Sequence, residues 1–497
     1  MNTCDHRKRI NRFLRMASIA TLFCACMAFY AQAQTFSLFY GFNQYSTDGS
    51  DGYYMNMIQA TDGNFYGTMA NGGAGAVNCN SYVDCGGVLF KITPSGDFTL
   101  LYTFCSLGDG KGDCPDGRSP YGGVMQASDG NFYGMTFAGG TYNDGTIFRF
   151  TPAGVLTTLH SFCYPPNTCN PIDGSAPTGQ LIQASNGALY GVTTGATLFK
   201  MTLKGKFTLL YNFGAGYPQG TLVQLPSGTL YGVTQSGGAY GKGSVFKATL
   251  AGKVTTMYSF CSQGGSCLDG SQPFGGLALG NDGNLYGATF VGGTDGYGTI
   301  FKIAPTGKYK FAQLHQFTGF QNGGIDGTNP TAPLVLASDG NLYGTTQGGG
   351  GGGYGGTGSV YQVANGAYSN IYGIPTTGCI GQNPWAGLLQ STNGSLYGSN
   401  MGIFGCNGNS TLFEFSMGLG EFVAPIPTFG KAGTKVIIQG TDLTGASGVT
   451  FNGKPAAFTV VSATEIRTTV PSGATTGTVE VVTPGGTLSS NVPFTVK

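Results

Sequence analysis

The sequence predicts an all-β fold: a ring of seven four-stranded sheets followed by a small sandwich. Three observations carry this. An Asn/Asp/Ser-Gly-x-[Phe/Leu]-Tyr-Gly element recurs seven times, with its tyrosine at Tyr66, Tyr133, Tyr190, Tyr231, Tyr286, Tyr343 and Tyr397. The spacing, roughly 40 to 67 residues, is that of modular units that bury their apolar faces only by stacking. Each unit holds short aromatic and β-branched runs between Asp-Gly and Pro-x-Gly turns, and no helical period appears.

The second unit shows the pattern. Its strand-like runs are Tyr121 to Ala127, Asn131 to Phe137, Thr146 to Thr151 and Val155 to Phe162. The third run recurs as firmly as the second, through Phe90, Phe148, Phe199, Phe246, Phe301, Tyr361 and Phe413. Neighbours such as Phe65-Tyr66 and Leu89-Phe90 point to opposite faces of a strand, so both faces of each sheet need cover. Sheets covered on both sides by copies of themselves are propeller blades.

The seventh unit stops before an outer strand, whereas Phe36 to Phe42 matches the outer strands Phe98 to Phe104 and Phe207 to Phe213. The start of the mature chain is therefore expected to complete the last blade and remove an exposed edge. Units three and four depart from the pattern. The connection at Thr193 to Thr197 is short, and Asp-Gly-x-x-Pro is missing before the strand near Gly220, so trimmed loops are expected on that side.

Residues 1-34 read as a secretory signal peptide. Arg7, Lys8, Arg9, Arg12 and Arg15 make a basic start, Met16 to Tyr30 is apolar, and Ala31-Gln32-Ala33 supplies the small-x-small cleavage pattern. The apolar run is shorter than the roughly 20 residues a spanning helix needs, so no transmembrane span is expected in the mature chain. The net charge of +1 turns slightly negative once the leader is removed, and only 9% of residues are charged. Such a surface offers no footprint for nucleic acid or anionic lipid.

Of 13 cysteines, Cys4, Cys24 and Cys26 leave with the leader. The rest fall into neighbouring sets, Cys79/Cys85, Cys105/Cys114, Cys163/Cys169, Cys261/Cys267 and Cys379/Cys406, the pattern of loop-stapling disulfides in an oxidising compartment. No CxxC occurs and the mature chain holds only His160 and His315, so neither a metal nor another cofactor is expected.

From about Glu421 the composition shifts to Val, Thr and Pro, and the Tyr-Gly element disappears. Gly433 to Leu443, Val449 to Gly453 and Val470-Pro471 fit alternating strands of a small immunoglobulin-like β-sandwich.

The repeats, through Asp-Gly-Asn-[Phe/Leu]-Tyr-Gly followed by Gly-Thr-[Ile/Val]-Phe-Lys, resemble the GloVer tandem repeats of secreted bacterial proteins over about residues 36 to 415. The C-terminal segment, Val423 to Val496, resembles the IPT/TIG immunoglobulin-like domain. Its Gly-x-x-Val-x-Ile-x-Gly-x-x-Leu and Val-x-Phe-Asn-Gly motifs carry the likeness. The second resemblance implies a spacer, adhesion or interdomain role. Neither transfers a catalytic residue.

The expected organisation is thus a leader (1-34), a propeller (35-420) and an immunoglobulin-like module (421-497). Candidate ligand residues are Asp116, Asp173, Asp269 and Asp326 of the recurring Asp-Gly-x-x-Pro, with Trp385, the only tryptophan. The competing reading makes each Asp a turn cap and each Pro a strand start. The tyrosines of the repeat read as packing between blades. His160 and His315 stand where Tyr102, Tyr211 and Tyr258 stand in other units. No serine triad, metal cluster or phosphate loop emerges, and the glycine run Gly348 to Gly356 precedes a strand. The function expected is that of a secreted or cell-surface binding or adhesion protein taking a glycan or a surface protein. The alternatives are a carbohydrate-active hydrolase or lyase at the channel mouth, which would need two carboxylates from different blades, or a structural envelope component.

Overall fold

The computed structural model describes residues 34–42, 48–49, 55–73, 86–107, 114–163, 173–319, 326–351, 356–375, 382–400 and 410–497. The leader, Cys79, Cys85, Cys169, Cys379 and Cys406 lie outside the described residues. Among those described there is no helix, and hence none long and apolar enough to cross a membrane.

The repeats form antiparallel sheets that follow chain order from an inner to an outer strand. In the second repeat the strands are Val124–Gln126, Phe132–Thr136, Thr146–Phe150 and Leu156–Ser161. The inner strand is shorter than the run Tyr121 to Ala127 predicts. Ser119, Gly122 and Gly123 all take positive φ, so the backbone turns where the sequence reads as extended. The fourth repeat, which lacks the Asp-Gly loop, instead has the seven-residue inner strand Pro218–Gln224. Only three residues separate Leu189–Thr193 from Thr197–Met201, in line with the trimmed loops expected there. Gly348–Gly349 pairs with Gly327–Thr328 in a small separate ribbon.

The last repeat contributes Leu389–Gln390, Leu396–Ser399 and Thr411–Ser416, and the fourth strand of its sheet is Thr35–Gly41. That strand carries the same irregularity as the other outer strands. The register skips Phe39 between Leu38 and Tyr40, as it skips Leu101 opposite Leu89 and Phe90. A bulge at a fixed place re-aims the strand after it, and every outer strand uses it.

The core lies between sheets. Seven clusters of buried residues each draw on two repeats, Tyr66 and Leu89 with Phe132 and Phe148, for example. One of the seven joins the first repeat to the last, Phe65, Val88 and Phe90 with Tyr397 and Leu412. The rings follow suit: Tyr66 stacks on Phe132 at 4.3 Å, and Phe65 meets Tyr397 at 4.6 Å.

The glycine after each repeat tyrosine explains itself by space. Gly67 pairs with Phe90 across the sheet, and a methyl group built on it would sit 2.6 Å from that ring. Gly191 and Gly287 stand in the same relation, at 2.6 Å, to Phe199 and Phe301. The tyrosine hydroxyl returns to the turn before it, as Tyr133 does to Asp129 at 2.8 Å and Tyr286 to Asp282 at 2.9 Å. Burial and those carboxylates push both phenols well above their ordinary range.

In five of the repeats a glutamine seven residues before the tyrosine bonds the turn of the preceding repeat. Gln126 accepts from the Thr61 amide at 3.0 Å, Gln183 from Ser128 at 2.9 Å and Gln224 from Ser185 at 2.8 Å. Gln390 accepts from Ser338 at 2.8 Å and Gln59 from Thr392 at 2.9 Å. In the fifth and sixth repeats Leu279 and Leu336 take that place.

The C-terminal module is a sandwich of two four-stranded sheets. One contains Lys435–Gln439 and Glu465–Thr469, the other Gly448–Phe451 and Val479–Thr483. Val436, Ile438, Phe451, Ile466 and Phe494 fill the space between. The module docks on the turns that end the inner strands. Gln439 donates to Ala60 O at 2.8 Å, Thr464 to Thr61 O at 2.9 Å and Asn491 to Leu336 O at 3.4 Å, while the Thr392 and Thr441 hydroxyls meet at 2.7 Å.

Candidate functional site at the start of the inner strands

The four aspartates of Asp-Gly-x-x-Pro occupy one equivalent position, each in the loop between the outer strand of one repeat and the inner strand of the next. Asp116 Oδ2 accepts from the Tyr102 hydroxyl at 2.9 Å and the Ser106 amide at 3.1 Å. Asp269 Oδ2 accepts from Tyr258 at 2.7 Å and Ser262 N at 2.9 Å. Asp173 meets His160 at 2.7 Å and the Cys163 amide at 2.8 Å. Asp326 meets His315 at 3.1 Å, Thr318 N at 2.8 Å and Tyr368 at 2.8 Å. The two histidines therefore do the work of the tyrosines they replace, and their rings stack similarly, His160 on Phe207 at 3.9 Å and Tyr258 on Phe311 at 4.0 Å.

Burial, offset by the Ser106 hydroxyl and reinforced by Asp116, pushes the Tyr102 phenol up to about 12. Oδ1 of Asp116 and of Asp269 is buried with no partner among the described residues, where no group of three or more His, Cys, Asp or Glu could hold a metal ion. The structure thus gives each aspartate its own loop to brace and does not bring the four together. Disulfides staple the same loops: Cys105–Cys114 and Cys261–Cys267 are bonded, and Cys163 is disulfide-bonded as well.

What does converge is the backbone just after the prolines. Pro120, Pro177, Pro218, Pro273, Pro330 and Pro384 are each followed by one variable residue and then Gly or Ala. Those small residues touch across repeats: a side chain at Gly122 would run into Gly179, one at Gly179 into Gly220, one at Gly220 into Gly275, and one at Gly275 into Ala332. Close approach of main chains is the reason for glycine here. The cavity among them is about 30 Å³, room for no more than a couple of waters.

The variable residue at this position is Tyr121, Thr178, Gln219, Phe274, Thr331 or Trp385. Trp385, Phe274, Thr178, Gln219 and Thr331 all line the cavity, and no charged residue does. The Phe290 ring lies 6.0 Å from Phe274 and 6.4 Å from Trp385, so aromatic surface spans from the fifth repeat to the seventh. Thr331 is buried beneath it and donates to Trp385 O at 3.1 Å. On the other side, Thr178 Oγ1 and Gln219 Oε1 are buried with no hydrogen-bond partner among the described residues. Sequence reasoning singled out Trp385 but passed over its equivalents. The signal was available: one unconstrained residue between a recurring proline and a recurring small residue.

The family model for the Gloeobacter/Verrucomicrobia repeat matches residues 87–268 and 264–457. The chain belongs to the Gloeobacter/Verrucomicrobia repeat family. The matched windows begin inside the first repeat unit and run into the C-terminal module, where the IPT/TIG domain model matches residues 423–496. A search of curated proteins found no significant match.

Among solved structures, this member of the repeat family is similar to a fungal alcohol oxidase of the AA5 family in complex with copper. The two share 10% identity over 90% of this chain and 98% of that one, at a TM-score of 0.53. PorZ, a surface component of the type-IX secretion system of Porphyromonas gingivalis, aligns at 16% identity over 90% of this chain and 59% of its own, with a TM-score of 0.49. Virginiamycin B lyase from Staphylococcus aureus aligns at 15% identity over 77% of this chain and 99% of its own, with a TM-score of 0.48. At 10% identity the likeness to the alcohol oxidase is one of fold alone.

Proposed function

We propose that the chain is an exported binding or adhesion protein whose ligand end is the mouth at Trp385. In this reading residues 35-420 form a closed propeller of seven blades, and residues 421-497 space or dock it. The pairing of Thr35–Gly41 with Thr411–Ser416 and the shared core of first and last repeats support closure. The disulfides fit an oxidising compartment outside the cytoplasm.

One observation carries the assignment of the two ends. The TIG module is bonded to the turns that finish the inner strands of the first, sixth and seventh repeats, whereas Trp385 sits at the start of the seventh. From Trp385 to Thr392 the chain runs about 20 Å at the rise of an extended strand. One end therefore anchors, and the other faces a glycan or a surface protein, while the aspartates brace the loops around it.

Glycan arrays and pull-down from envelope extracts, using purified residues 35–497, test this reading. Capture that is weakened by Trp385→Ala and unchanged by Lys454→Ala on the far module is the expected result. Capture that survives Trp385→Ala, or turnover of a substrate without retention of any ligand, would reject it.

A further inference from the structure

We propose that the Trp385 mouth receives the uncharged end of a glycan, one pyranose residue seated between an apolar wall and a polar one. The proposal rests on the mouth being the ligand end and adds the chemistry of the ligand. Six repeats place a residue at the same register there, and the packing that fixes the proline before it and the small residue after it leaves it free to vary. The choices are not scattered. Phe274 and Trp385, linked through Phe290, supply ring surface on one side. Thr178 and Gln219 supply a hydroxyl and an amide on the other.

A pyranose has matching faces. Its axial C–H bonds present an apolar surface that lies well against an aromatic ring, and its equatorial hydroxyls project sideways as donors and acceptors. Thr178 is only 7% exposed, and its Oγ1 has no hydrogen-bond partner among the described residues. A buried hydroxyl left unpaired is costly to the fold. A sugar hydroxyl at the mouth would supply the missing partner, and Gln219 Oε1 stands ready to accept from another. The residues lining the cavity carry no charge, so a uronate or a sulfate would lose its hydration there with no cation in return. The cavity that these residues themselves line is only about 30 Å³, too small for a sugar ring, so the sugar sits over the mouth rather than threading the ring.

Because Trp385 is the only tryptophan, intrinsic fluorescence of residues 35–497 reads this site alone. Cellotriose, maltotriose and chitotriose, with trigalacturonate as the acidic comparison, would be titrated at low and at high salt. At least one neutral trisaccharide should shift Trp385 emission saturably, with an affinity indifferent to salt. Thr178→Val should weaken that affinity about tenfold or more while leaving the melting temperature equal or higher, because it removes an unpaired hydroxyl without changing shape. Should that variant fail to fold, the half-buried Gln219→Leu serves as the second, with the same loss of affinity expected. Binding confined to trigalacturonate and abolished by salt would overturn the proposal, as would neutral binding that both variants leave intact. Capture of a protein but of no sugar, lost in Trp385→Ala, would overturn it while sparing the mouth as the ligand end. No ligand of either kind would overturn both.

Discussion

The side-chain oxygen of Gln59 accepts a hydrogen bond from the amide of Thr392 at 2.9 Å, across 333 residues of sequence. The same bond between neighbouring repeats spans 55 residues at Gln183 and Ser128 and 39 at Gln224 and Ser185. The first and last repeats thus meet through the contact that joins neighbours. Replacing Gln59 by leucine leaves the Thr392 amide unpaired, and the expected cost is about 1–3 kcal/mol. Urea denaturation of residues 35–497 would measure it. A midpoint equal to that of the parent would mean that the two repeats do not depend on each other.

Gly287→Ala should be costly although its backbone is ordinary. The added methyl would lie 2.6 Å from the Phe301 ring, and neither the ring nor the strand can withdraw from a packed interface. A loss of about 1–3 kcal/mol is expected, typical of overpacking, with partial recovery in Gly287→Ala/Phe301→Leu. Thermal melts followed by circular dichroism would show both. The absence of any recovery would place the strain elsewhere.

Phe42→Ala tests the contribution of the N-terminal segment. Phe42 is 1% exposed and lies against Phe90 at 5.4 Å and Tyr40 at 5.0 Å. Truncating a buried phenylalanine costs about 3–5 kcal/mol. If the segment were a dispensable tail, the variant would unfold at the same denaturant concentration as the parent.

Acid should weaken the junction of the fifth and sixth repeats through Asp326. Burial raises its carboxyl, but hydrogen bonds from His315, Thr318 and Tyr368 outweigh burial and hold it below the usual carboxylate range. A carboxyl whose folded value is depressed stabilises the fold above its unfolded value, near about 4, and that contribution is lost as the pH falls through the lower folded value. Asp326→Asn should be less stable than the parent at neutral pH, with a shallower decline below about pH 4. Parallel curves for the two proteins would refute the linkage.

The architecture was legible because it is written in repeated local signals. Asp-Gly turns, the Tyr-Gly pair and the aromatic of the third strand are each set by contacts within one sheet or with an adjacent copy. Phe36 to Phe42 could be recognised as a misplaced outer strand because even its apolar spacing matches, down to the skipped Phe39. The candidate site was less legible. Asp116 and its equivalents recur as identical residues in bonded loops, whereas Thr178, Gln219 and Phe274 differ from one repeat to the next, so their shared position shows only in the proline before and the small residue after them. The glutamine ties escaped because a polar side chain bonded to another repeat's amide looks like any exposed residue along the chain. The docking of the TIG module depends on surfaces hundreds of residues apart, such as Gln439 against Ala60, which no local reading reaches.

The strand Thr35–Gly41 has its partner at Thr411–Ser416. A ribosome delivers the two in the opposite order to the one that suits them, the first early and the second only after six complete sheets. During that interval an aromatic-rich β segment waits with its amides bonded only to water, a template for mispairing with any other chain. Assembly of the last sheet is accordingly a late step governed by the meeting of distant ends, and a helper that shields Phe36 to Phe42 until then would raise yield more than one acting on any internal repeat.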